Sequence, residues 1–186
     1  LLVKTWEMIL EAGKDAGLTP CGLAARDSLR TGAVLPLSHQ DIGDWPFINN
    51  PWTFALPFNG QHSGFTKEFI GGHALSNLDR PQFTVPFVGQ NLRKVTVTDQ
   101  AAVLDQNKAA LGSILTCATD MGIGWHDDKI VSIASPDEPE SFTPRGLACG
   151  FVKVDRELQP GHRIELTDGK RTIPVSVTRD IRPDRT

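Results

Sequence analysis

A chain of 186 residues is long enough to bury a real core, as one large domain or two small ones. Its 39% hydrophobic and 22% charged content is that of an ordinary globular protein, and a net charge of −3 without a basic run excludes nucleic acid as the main partner. No apolar run reaches the length of a membrane span, and Cys21, Cys117 and Cys149 are too scattered for a disulfide framework or zinc-ligand spacing, which points to a reducing, cytoplasmic setting.

The chain opens at Leu1-Leu2-Val3 without an initiator Met or a signal-peptide plan and passes directly into a helix, so a domain cut from a longer chain is expected. Leu2, Trp6, Ile9 or Leu10, and Gly13 recur at helical spacing and predict an amphipathic helix over 2–16, with Gly17 as its C-cap. Thr19-Pro20 turns the chain. The stretch from Gly43 to Gly64, rich in Pro, Asn, Gly and aromatics, reads as long loops around a short strand at Trp52–Leu56. Phe65–Ile70 reads as a helical turn or two, ended by Gly71-Gly72. Trp6, Trp45, Trp52 and Phe54 predict an exposed apolar surface shaped for an absent partner domain.

From about Gln82 the periodicity changes to alternation. Strands are predicted at Phe83–Val85, Lys94–Thr98, Ala101–Leu104, Leu111–Cys117, Ile130–Ile133, Gly146–Val154, Arg163–Leu166 and Arg171–Thr178. Asp168-Gly169 is a hairpin turn signal, Pro174 favours an edge position for the last strand, and Gly122-Ile123-Gly124 reads as a turn. Short strands at this spacing predict a small antiparallel barrel, and with the helices before it the fold class is α+β.

One segment carries chemistry: Cys21-Gly22-Leu23-Ala24-Ala25-Arg26-Asp27-Ser28-Leu29-Arg30. Arg26 and Arg30 are four apart and share one face of a short helix. Paired guanidinium forks suit a bidentate carboxylate ligand, and equally an acid of the chain itself that locks the helix. No Gly-x-Ser-x-Gly elbow or phosphate-loop pattern is present, and the cysteines sit where inert thiols are the default. His39, with no carboxylate or cysteine at metal spacing, reads by itself as a satisfied polar residue.

Gly-Leu-Ala-Ala-Arg-Asp-Ser-Leu-Arg, followed by Leu35-Pro36-Leu37 and Asp41-Ile42, resembles the glycine cleavage system T protein family, tetrahydrofolate-dependent aminomethyltransferases whose motif reads GLAARDSLRLEAG. The likeness extends to Trp6–Gly13, Gly17-Leu18, Trp52 and Phe69–Gly71, and Gly112–Ala118 stands where the family has Gly-x-Val-Thr-Ser-Gly. The resemblance implies the C-terminal part of a folate-binding domain at 1–81, the remnant of a split α/β domain, followed by the family's C-terminal β-barrel at 82–186. It implies tetrahydrofolate as cofactor, with Arg26 lining the folate cavity and Arg30 beside it. Arg182 stands where the family places a basic residue near the folate tail. Ser38 and His39 stand where it has a tyrosine-glycine step, and Thr31-Gly32 where it has an acid; this chain has no Tyr.

The resemblance further implies a one-carbon donor, presented by a carrier protein, and an N-terminal domain that holds the catalytic residues. The 186 residues alone are then expected to be inactive. Three functions remain open: a fragment of an aminomethyl- or methyltransferase, a non-catalytic folate-binding or interaction module on the same scaffold, and a barrel that docks a corrinoid or lipoyl carrier.

Overall fold

The computed structural model describes residues 1–43, 51, 55–60, 64–77, 82–136 and 142–183. Helical elements occupy the first part and strands the second. Helix α1 spans Leu2–Ala12, α2 Leu23–Gly32 and α3 Gly72–Ser76. A π-helical turn runs over Ser38–Ile42. The strands are β1 Phe83–Gly89, β2 Ala102–Leu104, β3 Ala110–Asp120, β4 Ile123–His126, β5 Lys129–Ser132, β6 Leu147–Val154, β7 Arg163–Thr167 and β8 Thr172–Val177.

Six strands close into an antiparallel barrel in the order β1-β6-β3-β2-β7-β8, with β8 returning to β1. Strand β6 explains how one sheet supports two cores. Val152 and Val154 point into the barrel with Phe87, Ile164 and Leu166. Leu147, Cys149 and Phe151, on the alternate positions, face outward into a second cluster with Val34, Ile123 and Ile181. Both faces of β6 are therefore buried from Leu147 to Val152, and that stretch reads as an apolar run; Lys153 beyond it is half-buried. Phe87 and Phe151, each fully buried in a different cluster, contribute roughly 1.5–3 kcal/mol apiece. Gly150 permits the β3–β6 seam: a Cβ there would collide with the Thr116 carbonyl.

Several local expectations change. Helix α1 stops at Ala12; Lys14–Ala16 form a 3₁₀ turn, and Gly17 closes that turn in the left-handed region at φ 73°. No residue of α1 is buried, and Trp6 is exposed. Trp45, Trp52 and Phe54 lie outside the described residues, as does most of the strand expected at 52–56; Ala55 and Leu56 are in turns. Phe65 is held in a bridge to Phe58, with ring contacts to Phe58 and Phe69, so the helical turn forms only after Gly71.

Lys94–Thr98 is not a strand. The closed barrel offers it no free edge; Val95 packs into the barrel core, and the Thr96 N–H donates to Asp168 Oδ2 at 3.1 Å. Ile123-Gly124 belongs to β4, which pairs with β5 in a separate hairpin. Strand β8 is not an edge. Pro174 pairs with Glu165 on β7, but the β1 ladder ends at Val175, so the missing N–H costs no bond on that side.

Asp168 organises the β7–β8 turn. Its Oδ1 accepts from the Arg171 and Lys170 N–H groups at 2.9 and 3.0 Å, and Thr96 supplies a third N–H. These bonds, first the one from Arg171, hold its pKa down to about 2. A depressed carboxylate stabilises the fold above its unfolded pKa of about 3.9, and that contribution is lost as pH falls towards 2. Asp168→Asn is expected to lower Tm at pH 7 and to flatten the Tm–pH curve between pH 4 and 2, by circular dichroism. A variant curve parallel to wild type across that window would refute the assignment.

Candidate functional site

Helix α2 lies against β3 and β6 at a slope that exposes its first turns and buries its last. Arg26 is exposed, whereas Arg30, Thr31 and Gly32 are buried. The helix ends because Val34 takes a left-handed conformation, φ 53°, while the Leu35 N–H returns to the Arg30 carbonyl at 2.8 Å. A β-branched residue there costs on the order of 1–3 kcal/mol, offset by burial of its side chain in the outer cluster.

Arg30 enters a network with the π-helical turn. Its Nη1 donates to Asp41 Oδ2 at 2.5 Å, its Nε to Asp27 Oδ1 at 2.7 Å and its Nη2 to Thr116 Oγ1 at 3.1 Å. Asp41 is fully buried. Its Oδ2 also accepts from the Leu37 N–H at 2.8 Å, and its Oδ1 from the Thr116 hydroxyl at 2.6 Å. Gln40 Nε2 donates to Thr116 Oγ1 at 3.0 Å and to the Leu115 carbonyl at 2.9 Å. The Thr116 hydroxyl thus donates once and accepts twice, its full complement. The β3 register shifts between Ile114 and Thr116, and this bulge carries both the Leu115 carbonyl and the Thr116 hydroxyl that the turn uses.

The other residues singled out from sequence gather around the same helix. Ser38 and His39 are exposed on the turn that Asp41 ties to α2. Neither they nor Arg26 make a side-chain hydrogen bond or ion pair among the described residues. Arg182 is joined to α2 through its backbone N–H, which donates to the Gly32 carbonyl at 3.1 Å. Its guanidinium grips Asp120, Nε to Oδ2 at 2.9 Å and Nη2 to Oδ1, while the Gly122 N–H bonds the same carboxylate at 2.9 Å. Asp120 is fully buried, and its Oδ2 occupies the space that any side chain at Gly32 would enter. The glycine at 32, where the family motif has an acid, is therefore tied to a carboxylate arriving from β3.

Cys149 lies in the outer cluster, where burial pushes its thiol up to about 12. Burial also raises Cys117. Both are poor nucleophiles. Cys21, by contrast, is exposed. Reading the motif alone leaves Gln40, Thr116 and Asp120 without roles. Asp41 was visible only as the acid closing the motif, and the partner that buries it lies 75 residues away.

No protein-family model matches the chain. Among curated proteins, an aminomethyltransferase of a Geobacillus species is 60% identical over 134 residues, 64% of this chain and 36% of that protein. The aminomethyltransferase of Bacillus licheniformis is 32% identical over 131 residues, 62% of this chain and 36% of its own length. That of Moorella thermoacetica is 33% identical over 132 residues, covering 60% and 35%. The matches thus span about a third of these relatives. The glycine cleavage system aminomethyltransferase T from Bartonella henselae shares the fold, with a TM-score of 0.58 at 22% identity over 92% of this chain and 42% of that one. Among the described residues no helix is long and apolar enough to cross a membrane. By sequence this chain is similar to part of the aminomethyltransferases, and its fold is that of part of a glycine cleavage system aminomethyltransferase T.

Proposed function

We propose that the chain is the C-terminal portion of a cytoplasmic, tetrahydrofolate-dependent aminomethyl- or methyltransferase of one-carbon metabolism. In this reading residues 1–81 complete a folate-binding domain and 82–186 form the accompanying barrel. The one-carbon donor arrives on a carrier protein, and the catalytic residues belong to an N-terminal domain. The exposed apolar residues of α1, among them Leu2, Trp6 and Ile9, suit a surface that packs against such a domain.

The observation that carries the reading is Arg26, an exposed guanidinium without a partner among the described residues, on a helix whose far end is locked. A guanidinium, a hydroxyl and an imidazole, all uncommitted, fit a ligand with a carboxylate tail and a polar heterocycle. Arg26 would hold an anionic group, and Ser38 and His39 would bond the polar ring edge. Arg30 and Arg182 already hold Asp41 and Asp120, and would act by fixing the helix. Bound tetrahydrofolate supplies the nitrogen that takes up the one-carbon unit; the chain supplies orientation and a fixed positive charge.

The test is calorimetric titration of tetrahydrofolate into the full-length protein. A charge-assisted contact is worth roughly 1.5–3 kcal/mol, so Arg26→Ala should weaken binding about tenfold to a hundredfold with Tm almost unchanged. Arg26→Lys should recover part of the loss, because an ammonium cannot present a planar fork. Equal affinities across the three proteins would remove Arg26 from the site. Binding with no one-carbon transfer by the full-length protein would favour the non-catalytic module.

A further inference from the structure

We propose that Asp41 is a positioning residue: through Arg30 and Thr116 it locks the π-helical turn Ser38–Ile42 onto α2 and the β3 bulge, and so presents Ser38 and His39 in one fixed orientation relative to Arg26. The proposal rests on the folate reading for its ligand, but not for its geometry.

Four observations support it. First, Asp41 has no access to solvent, and its carboxylate receives bonds from three separate elements: the Arg30 guanidinium of α2, the Thr116 hydroxyl of β3 and the Leu37 N–H at the head of its own turn. Its backbone carbonyl also accepts from Thr84 of β1 at 3.3 Å. Second, the backbone bonds that tie the turn to its flanking residues, among the described residues, converge on few acceptors. The N–H groups at Asp41 and Ile42 both return to the single Leu37 carbonyl, at 2.9 and 3.0 Å, and the Gly43 N–H to that of Ser38. The side chains of Asp41 and Gln40 anchor it from outside. Third, two irregularities that recur beside functional sites, a π-helical turn and a β-bulge, meet here through one hydroxyl. Fourth, polarity is sorted by position. Gln40 and Asp41 of this turn are bonded to β3, while its neighbours Ser38 and His39 are exposed, with no side-chain partner among the described residues. A rigid support beneath unpaired polar groups lowers the ordering cost of binding.

The experiment has two arms. In the first, hydrogen exchange is followed by NMR on the 186-residue chain for wild type, Asp41→Asn, Thr116→Val and Gln40→Ala. The last two leave the Arg30–Asp41 pair intact, so they report even if Asp41→Asn is poorly folded. The amides of Asp41, Ile42 and Gly43 should exchange roughly tenfold to a hundredfold faster in Thr116→Val, the factor expected for loss of one charge-assisted bond, and less so in Gln40→Ala. Amides of β1 and β6 should keep their wild-type rates. In the second arm, tetrahydrofolate affinity of the full-length protein should fall in step with the local exchange.

Unchanged exchange at the turn, or equal acceleration throughout the barrel, would overturn the lock. Local acceleration with unchanged affinity would overturn the positioning role and leave a purely structural one. Failure of the wild type to bind tetrahydrofolate would overturn the folate reading instead, while the exchange arm still decides whether Asp41 holds the turn.

Discussion

Replacing Arg30 with Met is expected to destabilise the chain by about 3–5 kcal/mol, because it strands a carboxylate that has no path to water. Asp41 would keep the bonds from Thr116 and the Leu37 N–H but lose the one counter-charge it has among the described residues. The loss from the Asp27 side is minor by comparison, since that carboxylate is 41% exposed and water can replace its partner. Against a total stability of roughly 5–15 kcal/mol, the substitution leaves a marginal fold. The double variant Arg30→Met with Asp41→Leu should recover much of the deficit, since neither charge then remains buried. Urea denaturation of the two variants and wild type measures both numbers. A loss below about 1 kcal/mol in the single variant would show that the turn rearranges to hydrate Asp41.

Gly32→Ala is the second large effect, and its sign discriminates between two accounts. Helix propensity alone favours alanine by about 1 kcal/mol at a helical position. Packing opposes it: the new methyl would overlap Asp120 Oδ2 and lie 3.5 Å from Arg182 Nε. Overpacking costs roughly 1–3 kcal/mol, and pulling a fully buried carboxylate off its arginine costs about 3–5 kcal/mol if the pair is broken outright. Packing wins, and a net loss of about 2–4 kcal/mol is expected. Asp120→Ala should remove the clash and spare most of this loss. The freed Arg182, already 19% exposed, can turn to water. A thermodynamic cycle over the two positions should then show coupling beyond about 1 kcal/mol. Stabilisation by Gly32→Ala would mean that Asp120 and Arg182 do not hold the place described for them.

The two variants also separate the layers of the site. Arg30 and Asp41 join the turn to the helix, whereas Asp120 and Arg182 join the end of β3 to the C-terminal segment, where Ile181 is fully buried and the Arg182 N–H reaches the helix end. Both ion pairs join separate elements, 11 and 62 residues apart in sequence. Neither is a surface pair of the kind that contributes little.

Periodicity alone determined much of this protein: a helical first part, an alternating second part, and most of the barrel strands at nearly their observed limits. It succeeded because each strand pairs locally or presents alternate residues to a dry core. The arginine motif was legible for the same reason, as a run of residues on one short helix. What it could not determine was which arginine stays free. Arg26 and Arg30 share a helix face and a chemistry, and only the slope of α2 on β3 and β6 exposes one and buries the other. The strand expected at Lys94–Thr98 failed because the barrel closes without it, and β4 was hidden behind the glycines of Gly122-Ile123-Gly124. Asp41, Thr116 and Asp120 acquire their roles only through contacts across 11 to 86 residues of chain. A hydrogen bond at such separation leaves no local pattern: burial creates the demand for a partner, and the tertiary fold alone selects which residue meets it.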